Sequence, residues 1–159
     1  MTRDTVILNA EQMQKILPQR YPLMMIDRVT EFEKGKRLVA IKNITANEWP
    51  FWAESRAPDP GPQGTIYPMT LLIEAAAQAA LLLYQLSMVK EGEHPRYILG
   101  RVKAEFFGDV GAGDEVEVRA DADKMLLIGG YSNIEIFCSQ ELIVKVFIVY
   151  KVNWLNNVA

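Results

Sequence analysis

Residues Met69 to Lys90, MTLLIEAAAQAALLLYQLSMVK, contain neither glycine nor proline and are dominated by leucine and alanine, the strongest helix formers. With Pro68 just ahead of them, they predict one long helix. Its apolar residues run nearly all the way round, whereas a helix lying on a surface shows a polar stripe opposite its apolar one. The rest of the chain must therefore cover this helix on most sides. A membrane span has a similar length, but Glu74, Gln78 and Gln85 interrupt the run and the remaining chain reads as soluble strands. The expectation is a buried helix of a soluble protein, with no membrane insertion.

Glu74 and Gln78 stand four apart and so share one helix face. An ionised carboxylate set among Leu71, Leu72, Ile73 and Ala75 to Ala77 is expensive to bury, so it either finds a partner or titrates high. That makes Glu74 the leading candidate for chemistry. The plainer reading is a partly solvated acid near the helix start, favoured there by the helix dipole.

The 159 residues predict a single domain, 1–159, and a hydrophobic content of 50% is enough for a sizeable core. The net charge of -3 makes no case for nucleic acid. Cys138 is the sole cysteine and excludes an internal disulfide, and MTRDTVILNA lacks the apolar segment of a secretion signal. A cytoplasmic protein is expected. The sole histidine, His94 in the turn EGEHP, excludes a His-rich metal site, and no cofactor or metal is implied.

Asn9 and Gln12 have the spacing of a capping box, predicting a short helix over Glu11 to Leu17 that Pro18 stops. Leu23 to Glu33 and Arg37 to Thr45 read as a hairpin around Gly35. Asn47 to Gln63, with Pro50, Pro58, Pro60, Pro62 and the aromatics Trp49, Phe51 and Trp52, reads as a long irregular loop. Its aromatics either line a pocket or anchor the loop on the core. Beyond the long helix, strands are expected over Arg96 to Phe107, Asp114 to Asp123, Leu126 to Cys138 and Glu141 to Val152. Turns fall at Gly108 to Gly113 and Ser139-Gln140, and Gly129-Gly130 marks a bulge or bend in the third run. Asp27 and Arg28 suggest a structural ion pair. The order predicts an α+β fold in which an antiparallel sheet wraps one central helix.

In order and wording, four blocks resemble the 3-hydroxyacyl-acyl-carrier-protein dehydratases, which have the hot-dog fold. They are Leu17 to Val29 (LPQRYPLMMIDRV), Ala40 to Glu48 (AIKNITANE), Ile66 to Gln78 (IYPMTLLIEAAAQ) and Gly100 to Asp114, which ends GAGD. The resemblance implies an acyl-thioester ligand on acyl carrier protein or CoA, and a homodimer or a heterodimer with a hot-dog homologue. Removing water across Cα and Cβ of a thioester takes a base for the α-proton, an acid for the leaving hydroxyl and a donor for the carbonyl. In the family these are a loop histidine, an acid on the central helix facing it across the dimer interface, and a backbone N–H at the helix start. Glu74 stands at the acid position, and the amides of Met69 or Thr70 at the donor position. Tyr67, Pro68, Met69, Thr70 and Gln78 are the expected substrate-binding residues.

The chain departs from that pattern in its loop, FWAESRAPDPGPQG, which carries no histidine, while His94 lies beyond the helix. Met69 replaces the family's glycine after Pro68, and Phe107, Gly108 and Asp109 stand where basic carrier-docking residues are usual. Two readings follow. In one, the chain binds acyl thioesters with dehydration lost or altered, or pairs with an intact homologue. In the other, it is an active (3R)-hydroxyacyl-thioester dehydratase using Glu74 and a non-histidine base such as Glu54, Asp59 or Tyr67.

Overall fold

The computed structural model describes residues 6–54 and 66–154, with residues 52–54 described by their backbone. The capping box at Asn9 forms as expected: the Asn9 side chain accepts from the Gln12 amide and the Gln12 side chain from the Asn9 amide, both at 2.9 Å. It opens helix α1 (Ala10–Ile16), and a short strand β1 (Leu8–Asn9) precedes it. Gly35, at φ 72°, turns β2 (Arg28–Glu33) into β3 (Arg37–Asn43). Next come α2 (Trp49–Glu54), the long α3 (Met69–Met88), and strands β4 (Arg96–Phe106), β5 (Glu115–Leu126), β6 (Gly129–Cys138) and β7 (Glu141–Asn153).

The strands form one antiparallel sheet in the order β1-β2-β3-β5-β6-β7-β4. Alternation builds its inner face: Val116, Val118 and Ala120 of β5, Ile134 and Ile136 of β6, and Val144, Val146 and Ile148 of β7 are all buried. Against them α3 presents Leu72, Ala75, Ala76, Ala79, Leu82 and Leu83, also buried. The sheet thus covers the apolar rod, and the α+β hot-dog architecture expected from the sequence is what forms. The helix lies on β3, β5, β6 and β7 but stands off from β4. β4 is also an edge strand, with Ile98 and Leu99 exposed.

Three expectations of secondary structure are corrected. Leu23 to Asp27 is not strand. The Gln78 amide takes up two of its backbone groups, accepting from the Met25 N–H at 2.9 Å and donating to the Leu23 carbonyl at 2.6 Å, and only the Asp27 N–H reaches β3, at the Ile41 carbonyl. Trp49 to Glu54 is helical, not irregular. Pro50 is tolerated in the first turn, where its missing N–H has no intrahelical carbonyl to meet; residues 55–65 lie outside the described part. The third strand run begins at Gly129, not Leu126. Leu127 and Ile128 form the hairpin turn despite being exposed apolar residues without turn chemistry, and Gly129 follows at φ 141° with its position for a Cβ only 2.2 Å from the Tyr150 carbonyl oxygen.

Asp27 and Arg28 do not pair with each other. Asp27, just ahead of β2, accepts from the Asn43 amide at 2.6 Å, while Arg28 reaches Glu115 at 3.0 Å.

Candidate functional site

Glu74 sits in the second turn of α3, partly buried. Its Oε1 accepts from Gln78 Nε2 at 2.8 Å and from Gln19 Nε2 at 3.3 Å. The carboxylate thus has partners, as burial demands, but both are neutral amides. Its Oε2 takes no hydrogen bond from the described residues. Gln78 is fully buried and is occupied on both amide atoms by Glu74 and the Leu23 to Met25 backbone, so it orients the acid and holds the segment ahead of β2.

Thr70, Glu74, Ala77 and Leu81 repeat at helical spacing along one face. Glu74, Ala77, Ala80 and Leu81 line a cavity of about 170 Å³ with Tyr97, Leu99, Ile148 and Tyr150 across from them. The hollow exists because α3 stands off from β4 and offers alanines where leucines would fill the gap. Ile98 and Leu99 bring its lining to the exposed edge strand.

At the head of α3, Pro68 supplies no side-chain cap, and the amides of Met69 and Thr70 donate to no described residue. Free N–H groups at a helix start are ready donors for a carbonyl oxygen. Met69 is partly buried and Thr70 exposed, while Tyr67 is fully buried and faces away from the Glu74 cavity. The Tyr67 N–H donates to Val110 O at 2.7 Å, which ties the helix start to the turn after β4. That turn is closed by Gly113 at φ 102° and by Asp114 accepting from the Gly111 amide at 2.8 Å.

A second carboxylate, Glu48, organises the approach to α3. Lys42 sits on the inner face of β3 with only 4% of its surface exposed, and its Nζ donates to Glu48 Oε1 at 2.7 Å. The Thr45 amide donates to the same oxygen at 3.0 Å, and the Tyr67 hydroxyl donates to Oε2 at 3.1 Å. Burial first, then the Glu48 charge, pushes the Tyr67 phenol far above the usual tyrosine range, so Tyr67 stays a protonated donor. Phe51 stacks at 5.9 Å on Tyr67, which anchors α2 on the core. Phe51 and Trp49 do not line the Glu74 cavity; the Trp52 and Glu54 side chains and Asp59 lie outside the described residues.

His94 is exposed in the turn after α3, beside Gln85. Gln85 lies roughly 16 Å along the axis from Glu74, so within one protomer His94 and the acid are far apart. Sequence reading did not single out Lys42, Gln19, Ala77, Ala80, Tyr97 or Tyr150 as site residues. Glu48 was available in the ITANE block, but nothing in the strand pattern around Tyr97 marks it as cavity lining.

Residues 17–147 match the FabA-like domain. Over 149 residues, 89% of this chain and 95% of the relative, the sequence is 39% identical to the 3-hydroxyacyl-acyl-carrier-protein dehydratase FabZ of Aliivibrio fischeri. The dehydratase of the same name from Vibrio atlanticus is 36% identical over the same shares. Among solved structures, the dehydratase heterocomplex ApeI:P from Xenorhabdus doucetiae superposes with a TM-score of 0.69 over 91% of each chain at 13% identity, a likeness of fold. With its central helix, wrapped sheet and aligned motifs, the chain belongs to the FabA-like, FabZ-related family of hot-dog dehydratases.

Proposed function

We propose that this protein binds acyl thioesters, carried on acyl carrier protein or CoA, in the cavity beside Glu74, and that dehydration is lost or altered in it. The observation that carries the reading is the carboxylate itself. Glu74 lines a cavity with one oxygen free of described partners, one turn beyond the uncapped amides of Met69 and Thr70. A thioester carbonyl on those amides would bring Cβ and its hydroxyl toward the acid. Glu74 is the residue for the departing hydroxyl, held in orientation by Gln78 and Gln19.

The other half of the reaction needs a base for the α-proton. Tyr67 cannot serve, because its hydroxyl is committed to Glu48 and its proton is held far into the alkaline range. His94 lies beyond the far end of the helix. Within one protomer, therefore, the acid and the carbonyl site have no imidazole beside them.

Oligomerisation through β4 fits the same picture. A long edge strand with exposed Ile98 and Leu99 is a template for a second sheet. A homodimer, or a heterodimer with a hot-dog homologue bearing its own histidine, would cover this edge and the lining of the Glu74 cavity. The solved neighbour described as a dehydratase heterocomplex supports a paired arrangement. The chain works as one hot-dog domain in the cytoplasm, without cofactor or metal.

The test is an assay of the purified full chain with 3-hydroxybutyryl and crotonyl thioesters, in parallel with Glu74→Gln. The expected result is saturable binding of both esters without turnover, and equal thermal unfolding of the two proteins. Turnover that Glu74→Gln abolishes would establish the active-dehydratase alternative with a non-histidine base. Absence of both binding and turnover would end the acyl-thioester reading.

A further inference from the structure

The far end of the Glu74 cavity is not finished as an apolar pocket would be. Tyr97, at the start of β4, and Tyr150 of β7 line it. Tyr84 of α3 packs edge-on against both rings, with centroids at 5.9 and 5.5 Å and interplanar angles of 80°. Tyr84 is itself anchored, its hydroxyl donating to the carbonyls of Leu126 and Leu127 at 3.0 and 3.1 Å. The three rings form a fixed aromatic wall.

Their hydroxyls differ in what they meet. The Tyr84 hydroxyl is satisfied at the β5 turn. The Tyr150 hydroxyl has no hydrogen-bond partner among the described residues, but it is turned toward β6, where a Cβ on Gly130 would come within 2.9 Å of it and where Ser132, likewise unpartnered, lies buried. The Tyr97 hydroxyl is buried with no partner among the described residues. Buried hydroxyls are ordinarily hydrogen-bonded, and a phenylalanine would fill the same wall without leaving a polar atom unpaired. The cavity is slightly larger than one of about 150 Å³ known to hold a six-carbon ring, so a short acyl group of similar bulk reaches this wall.

We propose that Tyr97 is a specificity-determining residue: its hydroxyl selects a short acyl group whose far end carries an oxygen, over the plain hydrocarbon chain of the same length. The proposal rests on the acyl-thioester reading of the Glu74 site and names its substrate class. Discrimination comes from pairing. An oxygenated chain end completes the Tyr97 hydrogen bond, and a plain chain displaces any water there while leaving the hydroxyl unsatisfied. Ala77 and Ala80 supply the room, and Leu81 and Ile148 cover the methylenes between the two polar ends.

The experiment is calorimetric titration of the full chain with the pantetheine thioesters of hexanoate and of ω-hydroxyhexanoate. The hydroxylated ester is expected to bind about 3- to 10-fold more tightly. Tyr97→Phe is expected to bring that ratio to about one, with the hexanoyl ester bound at least as tightly as by the native protein because no hydroxyl is then left unsatisfied. Ala77→Leu, which fills the cavity without touching Tyr97, is expected to weaken both esters. Equal affinities in the native protein, or a preference that survives Tyr97→Phe, overturn the proposal while leaving acyl binding intact. Failure of the native protein to bind either ester overturns the acyl-thioester reading, and this inference with it. If Tyr97→Phe does not fold, native preference together with loss of both esters in Ala77→Leu sustains the proposal, and a preference that Ala77→Leu leaves untouched overturns it.

Discussion

Two glutamates near the head of the same helix have opposite surroundings. Glu48 is paired on both oxygens: a buried lysine and a backbone amide meet one, and a tyrosine hydroxyl meets the other. Glu74 holds two neutral amides on one oxygen and leaves the second without a described partner, at the wall of a cavity. The first arrangement has both oxygens engaged by the protein and much to lose if broken. The second contributes little to the fold and has an atom to spare. A charge fully compensated inside the protein marks architecture, and a partly compensated one facing empty space marks the place where a ligand completes the pairing.

The sharpest way to break this contrast is Glu48→Ala. It strands the Lys42 ammonium on the core face of β3 and removes the acceptor of Tyr67, so a loss of about 3–5 kcal/mol in unfolding free energy is expected by urea titration. A loss below about 1 kcal/mol would show that Lys42 escapes to water and that the Glu48 cluster is not a structural anchor.

Gln78→Ala comes next. It leaves the buried Met25 amide and the Leu23 carbonyl without partners, and about 1–3 kcal/mol is the expected cost. Amide hydrogen exchange would locate the effect: faster exchange at Met25 with β3 and β5 unchanged supports a local clamp, whereas uniform acceleration would make Gln78 part of the global core.

The smallest effect concerns pH. Burial pushes the Tyr150 phenol up to about 12, above the ordinary value near 10 that it has when unfolded. The folded state therefore holds this proton more tightly. The associated stability is complete below pH of about 10 and declines as pH rises toward 12, because only the unfolded chain releases the proton in that window. Tyr150→Phe is expected to flatten the alkaline fall of the urea midpoint; an unchanged slope would assign the decline to other groups, Tyr84, Tyr97 and Tyr67 among them.

Much of this was legible beforehand, for reasons that differ by element. The long helix was readable because a twenty-residue run without breakers has few other local outcomes, and the capping box because it is a contact between residues three apart. The hairpin at Gly35 and the turn at Ser139-Gln140, both at positive φ, followed from local turn chemistry. Leu23 to Asp27 reads as strand because its apolar run leads straight into the alternation of β2, whereas in the fold its backbone is held by a side chain more than fifty residues away. Leu127 and Ile128 carry no turn signal of their own; the adjacent Gly129-Gly130 marks a bend, but the close approach of the Tyr150 carbonyl that demands glycine is not readable along the chain.

By itself, then, the sequence determined that a nearly all-apolar helix needs a sheet around it, that one acid stands in its second turn, and that the sole histidine lies beyond its other end. These are properties of spacing and composition along the chain. Only the tertiary structure decided that α3 leaves a gap at β4, that Gln19 and Gln78 hold the acid, that Glu48 is bound to a buried lysine, and that the Tyr97 hydroxyl is left over. Each of those is a distance between residues remote in sequence, set by how side chains of unequal size fill the space between helix and sheet, and a linear pattern carries no measure of that space.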